Sequence, residues 1–247
     1  MILKVTGLVV RESAVGESDK YLTLLTPEHG KMFIRARGVR KLRSKHISST
    51  QLLSYSEFTL FKSTNFISMN EAVLIENFYN IRLDIEKFAL ASYVVDIAST
   101  LSVEEADDGL LPLVLNTLYA LAHTDKLIPL VKSAFEIRAM TVSGFMPELH
   151  SCVKCGETIT ASCAFDASGG GVVCVSCQSA GTAHCNAEVL SALRYITESP
   201  SERLFSFTLH DEAAENLSAI SERFALEQLG CGFTTLEFYK NVMTLPK

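Results

Sequence analysis

The stretch Cys152-Val153-Lys154-Cys155 and its counterpart Cys174-Val175-Ser176-Cys177 place four cysteines in two Cys-x-x-Cys pairs, with eighteen residues between the pairs. A two-residue gap allows both thiolates of a pair to turn toward one point, and a second pair completes a tetrahedron of sulfurs about 2.3 Å from a central zinc ion. The spacing is typical of a zinc site. We therefore predict that Cys152, Cys155, Cys174 and Cys177 hold one Zn²⁺ per chain.

The predicted ligand set also indicates whether the zinc is structural or catalytic. Four cysteines leave no open position for the water or substrate that a catalytic zinc needs. The sequence contains no Walker loop, dinucleotide-binding glycine motif, nucleophile elbow or His-Glu-x-x-His helix. We predict a structural metal and no enzymatic activity. A dithiol redox protein is an alternative, and it would be free of metal and carry a thiol of depressed pKa.

The composition indicates a folded protein of a reducing compartment. Apolar residues make up 48% of the 247 residues and charged residues 20%, which is enough to build a core. The N-terminus lacks the pattern of a signal peptide, and no uncharged apolar run reaches eighteen residues. Seven cysteines, an odd number, favour thiols and metal over disulfides. We predict a cytoplasmic protein in which Cys163, Cys185 and Cys231 are small buried side chains.

The period of the apolar residues divides the chain in two. Short alternating segments at 2–12, 20–26, 31–39, 52–62 and 66–75 predict five strands, and hence a small closed barrel. An OB-fold fits this count, and an SH3-like barrel fits nearly as well. After residue 80 the period becomes helical, with helices predicted at 187–198, 211–229 and 234–243 among others. The predicted fold class is α+β, with an OB-fold at 1–79 and a helical domain at 80–247 that carries the zinc module at about 149–180.

Charge is distributed unevenly between these two parts. The whole chain has a net charge of −6, but residues 1–80 hold eleven Lys/Arg against seven Asp/Glu, so the remainder carries −10. No acidic residue stands between Glu28 and Glu57. In a strand, alternate side chains share a face, so Lys31, Phe33, Arg35 and Arg37 would form a basic face with one aromatic ring. Cations along phosphates and rings that stack on bases are what single-stranded nucleic acid requires.

The basic segment supplies the predicted DNA-binding residues. The main candidates are Arg35, Arg37, Arg40, Lys41, Arg43 and Lys45, and the weaker ones are Lys20, Lys31 and Lys62. A solvated strand face that happens to be basic is the simpler interpretation. The absence of interleaved acids and the five-stranded setting favour binding.

The order and spacing of several short motifs resemble the RecO family of bacterial recombination mediators over roughly residues 1–180. The motifs are Gly16-Glu17-Ser18-Asp19, Leu25-Thr26-Pro27-Glu28-His29-Gly30-Lys31, Ala36-Arg37-Gly38-Val39-Arg40, Phe135-Glu136-Ile137-Arg138, Ser143-Gly144-Phe145-Met146-Pro147, Gly169-Gly170-Gly171 and the two cysteine pairs. The last 65 residues match only as generic helices.

The resemblance implies a function. Proteins similar to this one bind single- and double-stranded DNA, anneal complementary strands and help to load RecA at gaps, acting with RecR, RecF and the single-strand binding protein. The resemblance also implies an N-terminal OB-fold and a C-terminal helical domain with a zinc module. A second hypothesis is a zinc-ribbon protein–protein adaptor whose barrel binds RNA or a protein partner.

Overall fold

The N-terminal segment forms a closed barrel of five strands. The computed structural model describes residues 1–105, 109–160 and 162–245. The barrel strands are Ile2–Val15 (β1), Asp19–Thr26 (β2), Gly30–Ala36 (β3), Tyr55–Lys62 (β4) and Ile67–Glu76 (β5). They close in the order β1-β2-β3-β5-β4, and β3 and β5 pair in parallel at Arg35–Ser68 and Ala36–Met69. This five-stranded barrel confirms the predicted OB-fold.

Strand alternation separates the barrel core from its outer surface. The inward residues of β3 are Met32, Ile34 and Ala36, all buried as predicted, whereas Phe33 is exposed. They pack with Leu22 and Leu24 of β2. The core is completed by Val5, Val9, Val39, Phe58, Leu60, Met69 and Ala72. The register fixes every outward side chain of β2 and β3, because a slip of one residue would turn the core set toward solvent.

Two strands are shorter than predicted. β3 ends at Ala36 instead of residue 39, and β4 begins at Tyr55 instead of residue 52. Gly38 and Leu53 both have a φ of +67°, in the left-handed region that cannot continue a strand. The chain between β3 and β4 therefore leaves the barrel surface as a loop that carries Arg40 to Lys45.

Seven helices follow the barrel in the described part of the chain. They are Tyr79–Arg82 (α1), Ile85–Leu101 (α2), Leu110–His123 (α3), Ile128–Val142 (α4), Ala187–Glu198 (α5), Asp211–Leu229 (α6) and Thr234–Met243 (α7). The last three match the predicted bounds. Local interactions mark two of their ends. The Asn186 side chain accepts a hydrogen bond from the Val189 N–H at the start of α5, and Gly230 ends α6 with a φ of +62°.

Three short strands between α4 and α5 were not predicted. They are Cys163–Asp166 (β6), Gly171–Val173 (β7) and Ala183–Cys185 (β8), in the sheet order β7-β6-β8. Strands of three or four residues show too little alternation to be recognised from sequence. The ring of Phe165 in β6 packs edge-on against Phe224 of α6, with centroids 5.5 Å apart, and this contact ties the sheet to the helices.

The chain groups into two compact units, one formed by Met1–Ala122 with Thr235–Lys247 and the other by His123–Thr234. The first contains the barrel, and the second contains the four cysteines of the predicted metal site. The domain boundary between residues 79 and 80 stays a prediction. Among the described residues, no helix combines the length and apolar character needed to cross a membrane.

Gly30 offers a test of the barrel's packing. Its φ is +53°, and a Cβ there would overlap the backbone carbonyl oxygens of Val103 and Glu105. We expect Gly30→Ala to destabilise the protein by about 3 kcal/mol or more, because backbone atoms must move in addition to the left-handed strain. Gly16→Ala is the matched control, since Gly16 has a φ of +56° with open space around it. It should cost about 1–2 kcal/mol. Urea unfolding followed by circular dichroism measures both, and equal losses would contradict the packing argument.

Candidate nucleic-acid interface and metal centre

The outer surface of β2 and β3 carries two exposed aromatic rings beside cations. Tyr21 lies directly opposite Arg35 across the two strands, and Thr23 lies opposite Phe33. Tyr21 is 50% exposed and Phe33 is 59% exposed. On antiparallel strands, the Cα atoms of diagonal neighbours such as Tyr21 and Phe33 are about 7–8 Å apart, which is within reach of aromatic side chains. Sequence reasoning found Phe33 and missed Tyr21, although the buried Leu22 and Leu24 already placed residue 21 on the outward face.

Several predicted cations are paired within the protein. Arg35 donates through Nε and Nη2 to Oδ2 of Asp19, at 3.2 and 2.9 Å. The pKa of Asp19 is lowered, first by the backbone N–H of Gly38 and then by Arg35. Lys20 Nζ lies 2.6 Å from Oε2 of Glu12, and Lys45 Nζ lies 3.0 Å from Oε1 of Glu71. The sequence does not reveal these pairs, because barrel pairing and loop packing create them.

Lys31 has a different role from the other cations. Its Nζ donates to the backbone carbonyl of Ser99 at 2.8 Å, and its backbone N–H donates to Val103 at 2.7 Å. The ammonium group thus lies at the C-terminal end of α2, where the helix dipole favours positive charge. Lys31 therefore helps to hold α2 against the barrel and keeps two further N–H donors for a ligand.

The loop after β3 presents the most accessible charges. Arg37, Lys41 and Arg43 are exposed, and no ion pair is found for them among the described residues. Arg40 Nη1 donates to the carbonyl of Gly16 at 2.9 Å, which joins this loop to the β1–β2 turn. Lys62 is exposed at the end of β4. The loop and the β2–β3 face together form what we call the basic surface. Its members are Tyr21, Phe33, Arg35, Arg37, Arg40, Lys41 and Arg43.

The four cysteines of the two pairs come together as predicted. Their Sγ atoms all lie within 4.8 Å of one another, and Cys155 Sγ lies 3.7 Å from Cys174 Sγ. A tetrahedron with sulfurs about 2.3 Å from a central ion has edges of about 3.8 Å. The donor set and its dimensions therefore fit a metal ion, and these four residues could hold one.

Backbone hydrogen bonds position the two cysteine pairs. The N–H of Cys152 donates to Glu157 and that of Val153 donates to Val172 of β7, at 2.8 and 2.9 Å. In the second pair, the N–H of Cys177 donates to the carbonyl of Cys174 at 3.0 Å. Each pair is thus a tight turn, and the first is fastened to the sheet. The structure builds the cluster from local turns and a three-stranded sheet.

The surroundings of the four thiols favour the thiolate form of one of them, Cys152. Burial alone would raise the pKa of Cys152, but backbone N–H groups of Cys174, Cys155 and Lys154 lower it to about 6. Burial raises the pKa of Cys174 to about 12, and acceptors nearby add to the effect. A metal cation at the centre would favour the thiolate at every ligand, and metal binding would then release protons.

The three remaining cysteines differ from one another. Cys163 and Cys185 face each other across β6 and β8 and are fully buried, as predicted. Cys231 is exposed, so the expectation that it is buried was wrong. It follows Gly230, where α6 ends and the chain turns outward.

Comparison with known proteins places the chain in a family. Residues 1–78 match the family model described as recombination protein O N terminal, and residues 82–237 match recombination protein O C terminal. The chain belongs to the recombination protein O (RecO) family. It is 35% identical over 243 residues to the DNA repair protein RecO of Acetivibrio thermocellus, covering 97% of each chain.

Other relatives of the RecO family cover the chain almost as completely. The DNA repair protein RecO of Alkaliphilus metalliredigens is 28% identical over 246 residues, covering 98% of this chain and 100% of its own. That of Dehalococcoides mccartyi is 31% identical over 231 residues, covering 91% of each. Membership in this family supports a role in DNA repair and recombination, and the resemblance seen in the sequence motifs is confirmed.

Proposed function

We propose that this protein is a non-enzymatic mediator of recombination that binds and anneals single-stranded DNA and helps to load RecA at gaps. The basic surface carries the proposal. Exposed rings of Tyr21 and Phe33 stand beside Arg35, and the exposed side chains of Arg37, Lys41 and Arg43 belong to the adjoining loop. Rings for bases and cations for phosphates are the combination that OB-folds use to bind single strands.

The same proposal assigns the remaining parts. The barrel at 1–79 is the DNA-binding domain, and double-stranded DNA would meet its charges through the backbone alone. The four cysteines hold a structural Zn²⁺, since thiolate sets of this spacing and geometry favour zinc. RecR, RecF, RecA and the single-strand binding protein are the proposed partners, in the cytoplasm and at the nucleoid. The redox alternative is less well supported because four sulfurs converge where a dithiol site needs two.

The paired cations change which residues should dominate binding. Arg35, Lys20 and Lys45 must give up or share an internal partner to reach a phosphate, whereas Arg37, Lys41 and Arg43 need not. We therefore rank the loop cations first. All nine predicted residues remain candidates, and Lys62 and Lys31 are considered with the groove described below.

A salt titration tests the proposal. In a variant with Arg37, Lys41 and Arg43 all changed to alanine, we expect weaker binding of a labelled single-stranded oligonucleotide. The slope of log K against log salt should become shallower by about 2, since each lost phosphate contact with a single strand removes about 0.7. Fluorescence anisotropy across a salt series measures both quantities.

The control variant carries the same loss of charge elsewhere. Lys126, Arg203 and Arg223 are exposed cations of the second compact unit, and changing all three to alanine should leave the salt slope as in the wild type. An unchanged slope in the folded loop variant, or an equal change in the control, would reject the basic surface as the DNA site.

A further inference from the structure

One end of the barrel carries a groove that the family assignment does not explain. It has a volume of about 460 Å³ and lies where β1 and β3 begin and where the β4–β5 loop turns. The loop residues Ser63, Thr64 and Asn65 form one part of its wall. This size lies within the range of about 300–1,000 Å³ that is usual for clefts that hold small molecules. The loop between strands 4 and 5 is also a ligand-binding loop of OB-folds.

Two aromatic rings line the groove. Phe33 on β3 is 59% exposed, and Phe66 just before β5 is 48% exposed. Leu3 and Met32 add an apolar floor. Rings left open to water in a concave site offer flat apolar surface, which a heterocyclic base can cover by stacking. The same rings contribute little to the barrel core, so the core does not explain their presence.

The charges of the groove distinguish a base from a phosphate. Lys31 and Lys62 line it. Glu104 lines it as well. A carboxylate repels phosphate but accepts hydrogen bonds from the amino groups of cytosine, adenine or guanine. The wall that includes Glu104 therefore suits the edge of a base, and the lysines suit the phosphates on either side.

One histidine that lines the groove has a ring nitrogen without a partner in the described part of the chain. Nε2 of His29 is hidden from solvent and has no hydrogen-bond partner among the described residues. Buried polar atoms of proteins are nearly always paired, so an orphan in a groove wall is a reason to look for a ligand. A base carries donors and acceptors on its edge and would supply the missing partner.

We propose that this groove binds one unstacked nucleobase of single-stranded DNA between Phe33 and Phe66, with the flanking phosphates at Lys31 and Lys62. The inference rests on the proposed function and adds a concave site for one base, next to the β2–β3 face that is proposed to carry the strand. Phe33 belongs to both surfaces, so a strand that crosses the β2–β3 face reaches the groove without leaving the barrel. Duplex DNA, whose bases are stacked and paired, gains nothing from the groove.

Two probes that differ only in their bases test the proposal. One is a labelled single-stranded oligonucleotide rich in cytosine, and the other is an abasic deoxyribose-phosphate oligomer of the same length and charge. We expect wild-type protein to bind the base-bearing probe more tightly. In Phe66→Ala, which removes the ring that belongs to the groove alone, affinity for the base-bearing probe should fall about 10-fold, because stacking on that ring is lost. Affinity for the abasic probe and the salt slope should not change.

The control is Phe145→Ala, which removes a ring that is 40% exposed in the second compact unit and should leave both affinities unchanged. Equal losses for both probes in the Phe66→Ala variant, or no loss for either, would overturn the base-binding site. Circular dichroism confirms that the variant is folded. If wild-type protein fails to bind either probe, the proposed function itself fails, and the two failures are thus distinguishable.

Discussion

A Cys152→Ala/Cys155→Ala variant is expected to lose its metal, from near one zinc per chain to none, and to unfold the segment around the cysteine pairs. The strands of this segment have only three or four residues, so they bury too little apolar surface to remain folded alone. Structural zinc in small domains contributes about 10–16 kcal/mol of apparent binding free energy at neutral pH. Two thiolates cannot hold the ion in the geometry of four.

Elemental analysis measures the metal, and hydrogen exchange of the β6, β7 and β8 amides measures the loss of structure. Binding of single-stranded DNA by the barrel should largely survive, because the ligands of the metal and the basic surface belong to different compact units. Cys231→Ala is the matched control, since Cys231 is exposed and outside the cluster. Retained zinc in the double variant, or unchanged protection of the sheet, would refute a structural metal.

The second large effect is expected at Lys132, a charged residue in the core of the second compact unit. Its Nζ lies 2.8 Å from Oε1 of Glu136 and 3.0 Å from Oε2 of Glu222. Lys132 is 1% exposed, and Glu136 is fully buried, with its other oxygen accepting from the Ser221 hydroxyl at 2.7 Å. This cluster links α4 to α6.

We expect Lys132→Met to destabilise the second unit by about 3–5 kcal/mol, because Glu136 is left as a buried charge without its cation. The variant Lys132→Met/Glu136→Leu should recover most of that loss, since apolar side chains of similar volume often replace buried ion pairs without penalty. Urea unfolding by circular dichroism and hydrogen exchange within α4 and α6 provide the measurements.

Lys45→Met is the control for loss of a lysine ion pair at the surface. Its partner Glu71 is exposed and the pair is screened by water, so the expected change is far smaller than that of Lys132→Met. If Lys132→Met is as mild as Lys45→Met, or if the double variant is no more stable than the single one, the ion cluster does not stabilise the fold as argued.

Much of the fold could be predicted where the signals are local. The bounds of α5, α6 and α7 follow from helical period and from caps such as Asn186 and Gly230, all within a few residues of the helix ends. The five barrel strands follow from the alternation of apolar and polar residues. The errors in their predicted bounds fall at Gly38 and Leu53, where a left-handed backbone ends the strand pairing. The sheet β6–β8 was missed because strands this short have almost no period.

The two candidate sites differ in how far they could be predicted from the sequence. The convergence of the four cysteines could be predicted because a turn of four residues brings the two cysteines of each pair together. Only the approach of one pair to the other depends on residues distant in the sequence. The ion pairs of the predicted cations could not be predicted, because Asp19 reaches Arg35 and Glu12 reaches Lys20 only through the pairing of β1, β2 and β3. A list of cations in the sequence does not say which of them already has a partner.

The sequence by itself determined that the chain contains a barrel, a set of helices and a four-cysteine site, because period and spacing are properties of neighbouring residues. Only the tertiary structure decided which of the predicted cations have internal partners, that Tyr21 stands beside Phe33, and that Phe33 and Phe66 meet Lys31, Lys62 and Glu104 in one groove. These arrangements join residues up to about seventy positions apart. Barrel closure brings the strand residues together, and the hydrogen bond from the Lys31 N–H to Val103 brings Glu104 to them.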